Sequence, residues 1–169
     1  MSAHLQTPVA TTHPRREIIF DGASERESVQ PLVVRASAAF SVAPSRLFYA
    51  LTIPEYIETW LTPPDTDDVS CTGNPATGEA LSIELRHDRR ITTSIFAEYK
   101  TISAQDVNIR WYVRSRARSY VSHLRIAIRT VRADALVRIH HSGFNHPNDW
   151  SWHQELWGLS LTKMQMLIR

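Results

Sequence analysis

The sequence predicts an α+β fold in which a curved antiparallel sheet of about seven strands wraps around a long C-terminal helix. Apolar and polar residues alternate with a period of two over much of residues 69–144, as strands require. From Asp149 to Ile168 the period changes to three or four, which indicates an amphipathic helix. A single helix packed in the hollow of such a sheet commonly leaves a pocket between them.

Length and composition suit one domain. A chain of 169 residues with 43% hydrophobic residues can bury a substantial core. Residues 1–30 combine prolines, small polar residues and mixed charge without a sustained period, so we expect a disordered or loosely docked tail. The folded domain is predicted to occupy residues 31–169.

The first strand is predicted over residues 32–41, where apolar side chains alternate with Arg35 and Ser37. Two short helices follow. Pro44 fits the first turn of one helix. Thr52 lies three residues before Glu55, a capping-box spacing that predicts the start of the second.

Residues 69–144 complete the sheet with six strands joined by short connections, which favours antiparallel pairing. Gly73 and Gly78 lie in turn-rich segments where a positive φ is needed. In the last segment, Asp149 is predicted to cap the helix, with Asn148 as the alternative cap. One wide apolar face then contains Trp150, His153, Trp157, Leu161, Met164 and Ile168.

Positive charge is concentrated in the second half of the sheet and comes almost wholly from arginine. The segment from Asp106 to Ile139 contains Arg110, Arg114, Arg116, Arg118, Arg125, Arg129, Arg132 and Arg138. This pattern is typical of a solvated outer sheet face. The alternative is a face that attracts an acidic partner. The chain has no Gly-rich phosphate loop and few aromatics among these arginines, which argues against nucleic acid.

Other functional classes find little support. A lone Cys71 excludes an internal disulfide and a Cys-x-x-Cys motif. The adjacent His140 and His141 would point to opposite faces of a strand, so we expect no metal site, and no cofactor motif occurs. We find neither a catalytic triad order nor a nucleophile elbow, and we assign no catalytic residue. Without a bilayer-spanning run or an apolar leader, the expected location is the cytoplasm.

A set of spaced residues resembles the SRPBCC (START-like) superfamily, and within it the branch homologous to the activator of heat shock protein 90 ATPase. The match spans residues 32–168. Its residues are Pro44, Phe48, Leu51, Pro54, Trp60, Gly143, Phe144, His153, Trp157 and Leu161. The resemblance implies a helix-grip fold with a cavity for lipids, polyketides or other apolar molecules. Some members are cyclases or hydroxylase subunits, and some act on chaperones. The chain departs from the family in its tryptophan-rich last helix and in Leu156, where glycine is usual.

The first functional hypothesis is a module that binds a small hydrophobic molecule between the last helix and the sheet. Its candidate ligand-binding residues are Trp60, Thr93, Ile95, Tyr99, Ile109, Trp111, Ile126, Ile139, His141, His153, Trp157, Leu161 and Met164. In a mostly apolar pocket, a few polar groups such as Thr93 and Tyr99 would orient the ligand. For Trp111, His141 and His153 taken individually, ordinary core packing is the favoured explanation.

Two further hypotheses use the same fold differently. A chaperone co-regulator or other interaction domain would meet an acidic protein through its arginine-rich sheet face. A cyclase or hydrolase-like enzyme would use His141, His153 or Tyr99, provided that these side chains reach one pocket.

Overall fold

A seven-stranded antiparallel sheet forms the framework of the protein. The computed structural model describes residues 31–132 and 134–168, so the predicted tail at residues 1–30 lies outside the described residues. The strands are β1 (Leu32–Phe40), β2 (Asp68–Gly73), β3 (Ala80–His87), β4 (Arg90–Ile102), β5 (Asp106–Ser115), β6 (Ser119–Val131) and β7 (Asp134–Phe144). Three helices accompany them: α1 (Pro44–Thr52), α2 (Pro54–Trp60) and α3 (Pro147–Leu167). The predicted α+β fold is confirmed.

The strand order is β1-β7-β6-β5-β4-β3-β2. Strands β2 to β7 therefore pair in sequence order, whereas the first strand, β1, pairs with the last strand, β7. Leu32 lies opposite Phe144 and Phe40 lies opposite Ala135. Gly73 and Gly78 adopt positive φ, as predicted.

The two faces of the sheet differ in burial. Alternate residues of β3 to β7 are buried on the inner face, and their neighbours on the outer face are half-buried or exposed. On the inner side, α3 lies against β1 and β7, and α2 contacts β2 and α3. The core is the layer between the helices and this inner face. Cys71 is part of this core.

Two helix starts differ from prediction. Helix α3 begins at Pro147, whose fixed φ suits a first helical position, and the preceding His146 caps it by accepting the Asn148 N–H at 3.2 Å. Asp149 is therefore a first-turn acid. Thr52 does not cap α2, because its hydroxyl donates to the Phe48 carbonyl at 2.8 Å and so belongs to the end of α1.

Candidate functional site

An interior cavity of about 20 Å³ lies between α3, the first two helices and the sheet, where the sequence predicts a pocket. Its walls come from α1 and α2, from β3 to β6 and from α3. This space suffices for about one water molecule. Trp60, Trp111 and Trp157, which come from three separate parts of the chain, occupy much of the room that a ligand would need.

The predicted ligand-binding residues divide into three groups. Six line the interior cavity: Trp60, Tyr99, Ile109, Trp111, Ile126 and Trp157. Six more are buried in the surrounding core without lining it: Ile95, Ile139, His141, His153, Leu161 and Met164. Thr93 is half-buried and lines a separate recess of about 80 Å³.

The recess beside Thr93 lies near the start of α3. Asp149 and Arg118 also line it, and the Arg118 Nε lies 2.8 Å from an Asp149 carboxylate oxygen. The Asp149 side chain is 7% exposed, so this ion pair neutralises a largely buried carboxylate.

A chain of hydrogen bonds connects α3 to the inner face of the sheet through His141. The Trp157 indole N–H donates to His141 Nδ1 at 3.0 Å. Since Nδ1 accepts, the ring proton lies on Nε2, which donates to the Ser122 hydroxyl at 2.8 Å. That hydroxyl in turn reaches the Trp111 carbonyl oxygen at 3.4 Å.

This arrangement does not activate Ser122. A general base must accept the hydroxyl proton, whereas His141 already has its proton on the nitrogen that faces Ser122. Burial, followed by the proximity of His153, lowers the pKa of His141 well below its usual range. Neither His141 nor His153 lines the interior cavity that contains Tyr99, so the three candidate catalytic side chains do not meet in one pocket.

Two buried polar atoms have no hydrogen-bond partner among the described residues. They are the indole nitrogen of Trp111 and Nε2 of His153. His153 donates from Nδ1 to the Asp149 carbonyl at 2.8 Å, which leaves Nε2 as an acceptor. Burial lowers the pKa of His153 to about 4. Trp111 lines the interior cavity, and its indole N–H is a buried donor without a partner among the described residues.

A larger apolar cleft of about 520 Å³ opens on the surface between α1, α2 and the end of α3. We refer to it as the side cleft. Its lining is Ser45, Arg46, Tyr49, Ala50, Ile53, Tyr56, Thr59, Trp60, Leu167 and Ile168. Tyr49, Tyr56 and Leu167 are each more than half exposed. Sequence analysis missed this site, although large apolar residues on the wet side of short helices were a signal for it.

Trp60 belongs to both spaces. It lines the side cleft and the interior cavity, and it is 3% exposed. Its indole N–H donates to the Ala50 carbonyl at 2.7 Å, which holds the ring across the boundary between α1 and α2. One side chain therefore separates the open cleft from the closed interior.

Potential metal ligands come together at one place within the described ranges. Asp67, His87 and Asp88 have ligand-type atoms within 4.8 Å of one another, and all three residues are exposed. Their atoms already pair locally, because an Asp67 carboxylate oxygen accepts the Asp88 N–H at 2.8 Å and lies 3.3 Å from His87 Nδ1. None of the helices in the described part of the chain is long and apolar enough to cross a bilayer.

Comparison with known proteins identifies the fold. No protein-family model and no curated protein matches the chain. Among solved structures, protein CV1439 from Chromobacterium violaceum is 16% identical with a TM-score of 0.67, over 80% of this chain and 96% of its own. The AHSA1 protein from Silicibacter pomeroyi is also 16% identical, with a TM-score of 0.66 over 80% of this chain and 96% of its own. The structure of the Aha1 dimer from Colwellia psychrerythraea is 16% identical, with a TM-score of 0.61 over 80% of this chain and 95% of its own. These likenesses confirm the predicted fold, an antiparallel sheet with a long C-terminal helix.

Proposed function

We propose that this chain binds a small apolar molecule that enters through the side cleft, with Trp60 as the movable wall towards the interior. The observation that carries the proposal is that the Trp60 ring lines both spaces. The side cleft, at about 520 Å³, falls within the range of about 300 to 1,000 Å³ typical of small-molecule sites.

The chemistry of the side cleft favours an apolar ligand with one or two polar groups. Its side chains are mainly aromatic and aliphatic, and the two tyrosine hydroxyls and the Ser45 hydroxyl supply hydrogen-bonding positions. Tyr49 and Tyr56 expose about half of their surface to water, so covering them with a ligand is favourable.

Deeper entry would require Trp60 to turn away. This movement breaks its hydrogen bond to the Ala50 carbonyl and exposes a buried ring. A ligand would offset the free-energy cost of this movement in two ways. It would replace the contacts of the Trp60 ring, and it would accept a hydrogen bond from the unpartnered Trp111 N–H. The proposed ligand is therefore an apolar molecule with a hydrogen-bond acceptor at one end.

A titration with the apolar dye Nile red tests the site. Thr59 is an exposed residue of α2 that lines the side cleft, so Thr59→Trp fills the cleft without altering the core. Thr162→Trp on α3 is the matched control, because both threonine hydroxyls bond to a carbonyl of their own helix and both residues are exposed. We expect Thr59→Trp to weaken dye binding by about tenfold and Thr162→Trp to leave it unchanged. Equal binding by all three proteins would contradict the proposal.

Native mass spectrometry identifies the natural ligand. Protein purified from its own cell lysate should contain a stoichiometric small molecule that is lost on denaturation and recovered by solvent extraction. A clean unliganded mass, together with no response to Nile red or added lipids, would argue for a filled core and against this function.

A further inference from the structure

The outer face of the sheet has an aromatic ridge beside a groove. In one row across four strands, Ser82 pairs with Phe96, Phe96 with Tyr112, and Tyr112 with Val121. In the next row, Arg114 lies between two serines, Ser94 and Ser119. The small serines beside the large rings leave a groove of about 470 Å³, which we call the outer-face groove. It lies on the side of the sheet opposite α3.

The ridge is unusually apolar for a solvated face. Phe96 is 51% exposed and Val121 is 37% exposed. The Phe96 and Tyr112 rings pack edge to face with their centroids 6.0 Å apart. Because exposed large apolar side chains that adjoin one another mark interaction surfaces, this row offers an anchor point for a partner.

Charge on this face is unbalanced. Most of its carboxylates are already paired: Glu84 with Arg86, Glu98 with Lys100, and Asp106 with both Arg125 and Arg129. Four other outer-face guanidiniums form no ion pair with a carboxylate in the described part of the chain; they are Arg35, Arg110, Arg114 and Arg138. The face therefore has unneutralised positive charge next to its apolar ridge.

We propose that the outer-face groove binds an acidic protein segment that places one apolar side chain against Phe96. Carboxylates of that segment would pair with Arg114 and Arg110, which lie in the rows on either side of the ridge. Single-stranded nucleic acids are less well matched, because the Arg110 guanidinium lies 5.0 Å from the centre of the Tyr112 ring and covers a surface on which a base would stack. This binding site is independent of the side cleft.

Arg114→Glu and Phe96→Ala test the charge and the apolar anchor separately. Lys163→Glu is the matched control, since it makes the same charge change at an exposed position on α3. The probe is a fluorescein-labelled peptide of Asp and Glu with one central Phe, measured by anisotropy. A second probe has Gly in place of that Phe. All variants are compared by circular dichroism and thermal unfolding, so that loss of fold is distinguished from loss of binding.

The expected result is that Arg114→Glu weakens peptide binding by about tenfold and Lys163→Glu by less than about twofold. Phe96→Ala should weaken binding of the Phe peptide and leave the Gly peptide unaffected, which identifies the direct contact. Undetectable binding, or binding that Arg114→Glu does not change, would overturn the proposal. The proposal would also be overturned if Arg114→Glu weakened the binding of single-stranded oligodeoxythymidylate and neither peptide bound. A self-association that is detected by sedimentation and abolished by Arg114→Glu would overturn it as well.

Discussion

Trp157 on α3 and His141 on β7 are joined by a hydrogen bond of 3.0 Å from the indole N–H to Nδ1. Both residues are almost completely buried. The bond fixes the orientation of the long helix on the sheet and also decides which imidazole nitrogen holds the proton. It therefore couples the packing of α3 to the polar network below it.

Trp157→Phe tests this bond, because it retains an aromatic ring and removes only the donor N–H and part of the ring. His141 Nδ1 would then be a buried acceptor without a partner. We expect a loss of about 1 to 3 kcal/mol in the free energy of unfolding, measured in urea. Trp111→Phe is the control, since Trp111 is also buried and its indole N–H has no hydrogen-bond partner among the described residues. Equal destabilisation by both variants would contradict a specific role for the bond.

The buried histidines should make the protein sensitive to acid. Burial lowers the pKa of His153 from 6.5 to about 4 in the folded protein. Between these values the unfolded chain binds a proton that the native protein does not bind, so stability falls as the pH falls. A full difference of this size corresponds to about 3 kcal/mol, of which the larger part should be lost between pH 7 and pH 4.5.

His153→Gln isolates this contribution from that of the carboxylates. Unfolding in urea at the two pH values should show a smaller loss of stability on acidification in the variant than in the wild type. The comparison is made on the difference between the two pH values, so that any general destabilisation cancels. Parallel pH profiles for the two proteins would show that His153 does not titrate with a lowered pKa.

Trp60→Ala should join the side cleft to the interior cavity. Removal of this buried ring is expected to cost about 3 to 5 kcal/mol in stability, because a cavity remains. The same variant should bind Nile red more tightly than the wild type, since the wall between the two spaces is lost. Thermal unfolding and dye titration measure the two effects. Unchanged dye affinity in a folded variant would mean that Trp60 does not separate them.

The ion pair between Arg118 and Asp149 should contribute more than a surface pair. Arg118→Ala leaves the largely buried Asp149 carboxylate without its guanidinium partner. We expect a loss of about 1 to 3 kcal/mol in unfolding free energy. Arg116→Ala, at an exposed position two residues away, should have an effect of about 0.5 kcal/mol or less. Similar losses in the two variants would contradict this difference.

The sheet and its buried face could be predicted from sequence because strand periodicity places alternate residues on opposite faces. Leu124, Ile126 and Ile128 are buried, whereas Arg125 and Arg129 are on the outer face, as the alternation requires. The sequence pattern contains no information about the partners of those arginines. Both arginines pair with Asp106 on the neighbouring strand β5, and these ion pairs depend on the register between β5 and β6.

The size of the interior cavity was not predictable from the sequence. It depends on how three indole rings from α2, β5 and α3 pack together, and no local pattern determines the volume left among them. Similarly, the side cleft depends on the relative placement of α1, α2 and the end of α3. Periodicity shows which face of each helix is apolar, but the space between three helices is set by tertiary packing.

The pairing of β1 with β7 has a consequence for the order of folding. Leu32 begins the first strand and Phe144 ends the last strand, yet the two residues lie opposite each other in the sheet. During synthesis, β1 emerges from the ribosome long before β7, which is its strand partner within the described residues. The hairpins from β2 to β7 can form as they emerge, whereas closure of the β1 edge must wait for the last strand. The backbone N–H and C=O groups along the β7-facing edge of β1 therefore stay unpaired until almost the whole sheet has been made.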